Sequence, residues 1–80
     1  MRKIDVVAVS GGWKVVIEDI TNEMLFRSGK TAEAAARDLA LRLAEAGEAS
    51  EVRIYLRDGR LAARFLSPAL APQEHAEASG

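Results

Sequence analysis

The chain has 80 residues, 49% hydrophobic and 29% charged, with 11 basic against 12 acidic side chains and no cysteine. This is the balance of one soluble globular domain with room for a single core. The absence of cysteine excludes a disulfide framework, a thiolate metal site and a thiol nucleophile, and is consistent with a reducing, cytoplasmic location.

Met1, Arg2 and Lys3 lead straight into an alternating stretch, and no long apolar run follows, so neither a secretory signal nor a membrane span is expected. Ile4, Val6 and Ala8 alternate with Lys3, Asp5 and Val7, which predicts a first strand. Gly11-Gly12 is expected to form a two-residue hairpin turn, because glycine readily adopts positive φ. Trp13, Val15 and Ile17 continue on the second strand. In this register Ser10 faces Trp13, Ala8 faces Val15 and Val6 faces Ile17. The same register sets Asp5 opposite Glu18, read as solvated surface carboxylates rather than an acid–base pair. A polar turn at Thr21-Asn22-Glu23 leads to a short third strand from Met24 to Arg27.

Thr31 is expected to cap a helix over residues 32–46, which are almost all strong helix formers, and Gly47 to supply its left-handed stop. Ala32, Ala35, Ala36, Leu39, Ala40, Leu43 and Ala46 fall on one stripe, with Leu41 nearly opposite. A stripe made mostly of alanine predicts close approach to whatever it covers. Glu33/Arg37 and Asp38/Arg42 are i,i+4 pairs on the flanks.

Val52 to Arg57, Asp58-Gly59 and Arg60 to Leu66 read as a second hairpin closed by a type I′ turn. Its inward pairs are then Leu56 with Leu61, Ile54 with Ala63 and Val52 with Phe65. Its outward pairs are Arg57 with Arg60, Tyr55 with Ala62 and Arg53 with Arg64. Residues 67–80, with two prolines and one large apolar side chain, read as a disordered C-terminal tail beyond a single domain at 1–66. Net charge is −2 over residues 1–51, +3 over 52–66 and −2 over 67–80, so a near-neutral total conceals a basic hairpin.

Catalysis is poorly supplied. The only histidine, His75, lies in the expected tail, and no serine has an ordered base beside it. No metal-ligand spacing is present, and Gly11-Gly12 precedes a strand rather than a helix, so no phosphate loop forms there. The expectation is a non-enzyme without metal or cofactor. Arg53, Arg57, Arg60 and Arg64, with Tyr55 between them, set like charges opposite each other, at a cost of roughly 0.2–1 kcal/mol per pair. An anionic partner would relieve that repulsion, with Tyr55 stacking on a base. Asp5, Glu18 or Glu51 on the same face would relieve it equally well. Val7, Val9, Val16 and Ile20 form an apolar patch on the side away from the helix, which marks an interface unless another part of the chain covers it.

Trp13-Lys14-Val15, Phe26, Thr31-Ala32-Glu33-Ala34-Ala35, Leu39-Ala40, Leu43-Ala44, Val52-Arg53-Ile54 and Arg57-Asp58-Gly59-Arg60-Leu61 occur in an order that resembles the small bacterial family called domain of unknown function 2188. The resemblance spans about residues 4–66. Tyr55-Leu56 stands where members often carry a His-Gly pair. The resemblance implies no activity, cofactor or catalytic residue.

The expected fold is α+β, in the order βββαββ, with an antiparallel sheet and one helix packed on one face; the first strand lies between the second strand and the closing hairpin. The expected core is Val6, Trp13, Val15, Ile17, Phe26, Leu39, Leu43, Ile54, Leu56 and Phe65. The leading functional expectation is a protein-interaction module, a homodimer through the open sheet face, in which the Arg face of one chain meets Asp5 and Glu18 of the other. A phage or mobile-element protein docking on a larger host complex is a variant of it. The alternative is nucleic-acid binding through the Arg-rich hairpin.

Overall fold

The structure is a computed structural model describing residues 1–70. Its elements are β1 (Arg2–Val9), β2 (Gly12–Ile17), β3 (Met24–Phe26), α1 (Gly29–Glu45), β4 (Ser50–Tyr55) and β5 (Leu61–Ser67). The strands form one sheet in the order β3-β2-β1-β4-β5, with α1 packed on one face. β1 is central, between β2 and β4. The fold class is α+β, but the sheet is mixed rather than antiparallel, because β1 and β4 run parallel. The cause is directional: three alternating strands followed by a helix across them return the chain to the end where β1 began. A parallel neighbour requires such a long crossover, and α1 supplies it.

The core is Ile4, Val6, Val15, Ile17 and Val52 against Ala32, Ala36 and Ala40, with Trp13, Met24, Phe26, Leu39, Leu43, Ile54 and Phe65 packed around it. The buried helix row is Ala32, Ala36, Ala40 and Ala44, a strict four-residue spacing that places Leu39 and Leu43 on its margin. With only methyl groups between them, helix and strands come close enough to bury Val6, Val15 and Val52 completely. Leu56, expected in this core, is instead exposed.

Helix α1 begins three residues before the expected start. Ser28, not Thr31, is the N-cap; its hydroxyl accepts from the Thr31 N–H at 3.1 Å and donates to the Thr31 hydroxyl at 2.8 Å. The stop is at Gly47, as expected, with φ +89°. Gly47 N–H donates to Ala44 C=O and Glu48 N–H to Leu43 C=O, the double bond of a Schellman motif. Glu33–Arg37 and Asp38–Arg42 form their i,i+4 ion pairs.

The first hairpin turns at Ser10-Gly11 rather than at Gly11-Gly12. Val9 pairs with Gly12, Ala8 with Trp13, Val6 with Val15 and Ile4 with Ile17, two residues away from the expected register. Of the two glycines only Gly11 has positive φ, +81°. Gly12 is a strand residue, where a Cβ would lie 2.5 Å from the Phe26 carbonyl oxygen. Asp5 therefore faces Val16, and Glu18 lies beside Lys3, accepting from its N–H at 3.2 Å.

The second hairpin is closed by a three-residue loop, not a type I′ turn. Gly59 N–H donates to Leu56 C=O and Leu56 N–H to Arg60 C=O, while Gly59 has φ +92° and Asp58 is not at positive φ. This is a type I turn followed by a left-handed glycine bulge. Asp58 also accepts from the Arg60 N–H at 2.9 Å. The loop shifts the tip by one residue, so Tyr55 pairs with Leu61; a second irregularity between Ile54 and Tyr55 then leaves Ala62 unpaired. The two shifts cancel, and the base pairs Ile54–Ala63, Arg53–Arg64 and Val52–Phe65 stand as expected. β5 extends through Ser67, one residue past the expected boundary, and Leu70 N–H donates to Ala44 C=O at 3.0 Å. His75 and the rest of the expected tail lie outside the described residues.

Candidate functional site

Alternation fixes which side chains share the sheet face away from α1. Lys3, Asp5, Val7 and Val9 come from β1, Lys14 and Val16 from β2, and Leu25 from β3; Glu51, Arg53 and Tyr55 come from β4, and Leu61, Arg64 and Leu66 from β5. No element packs on this face among the described residues. Val7, Val9 and Val16 are half-buried, and Ile20 is exposed beyond the end of β2. On the same face, Leu25, Leu61 and Leu66 of the two edge strands are 72%, 49% and 62% exposed.

The arginines of this face and Lys14 are paired within the chain. Arg53 donates to both carboxylate oxygens of Asp5, at 2.7 and 2.9 Å, across the parallel β1–β4 junction. This fork-on-carboxylate geometry is the strong form of an ion pair. Hydrogen bonding to Asp5 holds the Arg53 pKa above its ordinary value; burial opposes the shift, and the charges of Asp5, Tyr55 and Glu51 add to it. A raised cation pKa adds stability that is complete below the ordinary value and lost as pH climbs through the folded one. This contribution is therefore constant through neutral pH. Arg64 reaches the largely buried Glu51 at 3.2 Å, and Lys14 reaches Glu23 at 3.1 Å.

The other two arginines of the expected set have left the face. Arg60 bonds Asp58 at 2.8 Å in the tip loop. Arg57 is not beside Arg60; its guanidinium lies 5.1 Å over the Trp13 ring, which also lies against Gly29 at the start of α1. Each arginine of the expected anion-binding set thus has a partner of its own, and Asp5 is engaged by Arg53 rather than left for another chain. Across the face, Lys3, Lys14, Arg53 and Arg64 balance Asp5, Glu18, Glu23 and Glu51.

Of the expected surface residues, Val7, Val9, Val16, Arg53, Tyr55 and Arg64 share one face, together with three leucines that sequence reasoning did not include. Leu25 and Leu66 were legible, since each is flanked by residues that pack inward. Leu61 was not, because the extra residue in the tip loop moves it to the opposite face.

The chain matches no family model, no curated protein and no solved structure. Among the described residues, no helix is long and apolar enough to cross a membrane.

Proposed function

We propose that the chain is a non-enzymatic protein-interaction module that pairs with a second copy through the open sheet face. The observation that carries this reading is a face uncovered among the described residues, on which apolar side chains lie among arginines already paired within the chain. Such a face offers hydrophobic surface without repelling its own copy, and exposed apolar patches of this kind mark interfaces. Five strands at about 4.8 Å spacing put roughly 19 Å between the two edge strands, so the face is narrow and the pairing is sought up to high concentration.

Neutral balance on this face also ranks the nucleic-acid reading second, since binding to a polyanion draws on cations free to displace counterions. Sedimentation up to several hundred micromolar tests the proposal: Val7→Asp is expected to halve the mass of the parent assembly. A parent that sediments as one chain overturns it. Retention on duplex DNA with a log–log salt slope of about −3 to −4, abolished by Arg53→Ala with Arg64→Ala, replaces it with the nucleic-acid reading.

A further inference from the structure

The sheet ends in two unlike edges, β3 and β5. An edge strand presents unpaired backbone N–H and C=O groups that accept another extended chain unless shortness, proline, lysine or a cover prevents it. β3 has three residues and is protected by brevity. β5 has seven and no proline; its one charge, Arg64, is held by Glu51, and its bulge at Ala62 leaves residues 63–67 regular, with the strand exposed from Leu61 to Arg64.

Beside β5 runs one flank of α1. Arg37 lies 4.3 Å over the Phe65 ring, and the Ala44 carbonyl accepts from Leu70. Leu41 is one turn beyond Arg37 on the same flank and is 50% exposed. Leu41 thus adds an exposed apolar side chain beside Arg37 on the helix flank that borders the edge.

We infer that β5 pairs antiparallel with β5 of a second copy about a two-fold axis, joining two sheets into one of ten strands. Only an extended chain satisfies such a row of donors and acceptors, and this strand is its own complement. A two-fold axis perpendicular to the sheet keeps each side chain on its face, so every residue must meet one of its own parity. The register centred on Phe65 brings the two rings together on the helix side. It sets Arg64 opposite the partner's Leu66 and Ala63 opposite the partner's Ser67. A register centred on Arg64 would oppose like charges and is disfavoured. The Leu41 flanks of the two helices then lie on either side of the junction. This contact is separate from the open face and leaves it free.

Sedimentation of the full chain separates the two contacts. With both in use the parent contains four or more copies, and Val7→Asp leaves a two-chain assembly held by the edges. Ala63→Lys with Leu41→Lys, two exposed positions off the open face, leaves a two-chain assembly held by the faces. Circular dichroism confirms that each variant is folded. Amide exchange within residues 61–67 should slow at least tenfold between low and high concentration, in the parent and in Val7→Asp. A single-chain Val7→Asp, an unchanged mass for the lysine variant, or concentration-independent exchange in β5 overturns edge pairing. An unchanged mass for Val7→Asp with a reduced mass for the lysine variant overturns the open-face reading and leaves edge pairing standing. A single-chain parent overturns both.

Discussion

The two hairpins of this sheet depart from their simplest registers by different amounts, and the parity of the departure decides the consequence. In β1–β2 the turn lies one residue earlier than the glycine pair suggests, which moves the register by two and keeps every side chain on its face. At the tip of β4–β5 the register moves by one, and Leu61 passes from the helix side to the open side. The unpaired Ala62 reverses that slip before it reaches Val52 and Phe65. A strand can thus absorb an error of two without harm, whereas an error of one must be corrected within a few residues or it inverts the core.

The sharpest way to break this comparison is Gly12→Ala. The added methyl meets the backbone carbonyl of Phe26, which cannot swing aside as a side chain would. Urea unfolding should show a loss of about 3 kcal/mol, the upper range for overpacking. If the loss is below about 1 kcal/mol, Gly12 is a turn residue after all.

Asp5→Ala removes the carboxylate that ties the two hairpins together through Arg53. With both side chains about three-quarters covered, the expected loss is roughly 1–2 kcal/mol. A double-mutant cycle with Arg53→Ala should show positive coupling, and zero coupling would make the pair incidental.

Gly59→Ala places a Cβ at φ +92° with open space around it, so only backbone strain is charged, about 1 kcal/mol. Gly59→Asn should recover most of that loss, because asparagine tolerates the left-handed region.

At the base of the same hairpin, the Ser50 hydroxyl is fully buried with no protein partner. Ser50→Ala is expected to raise stability by roughly 0.5–1 kcal/mol, and a loss would show that the hydroxyl is satisfied. The smallest expected effect is Arg57→Ala, about 0.5 kcal/mol, from an exposed guanidinium over Trp13.

Much of the fold was legible because it rests on period and parity. Alternating Ile4, Val6, Val15 and Ile17, the alanine row of α1 and the glycine stop at Gly47 each follow from side-chain spacing alone. The parallel β1–β4 junction was legible in principle by counting reversals of chain direction. The identity of the turn residues was not. Gly12 has the composition of a turn and the role of a close contact, which becomes visible only once β3 is seen crossing it. Asp58-Gly59 suits two loop lengths equally, and Ser28 and Thr31 both suit a cap. The charged part of the candidate surface was half legible: Asp5 and Glu51 were named as partners for the arginines, but which pairs with which depends on strand direction.

Parallel β1 and β4 bring the Ser10-Gly11 turn, the Arg57–Gly59 loop and the start of α1 to one end of the molecule, and Trp13 sits where they meet. It is the only tryptophan in the chain. Its emission is therefore a single-site optical gauge of that end: loosening of either hairpin or fraying of the helix start would shift the spectrum, and no second indole would blur the signal.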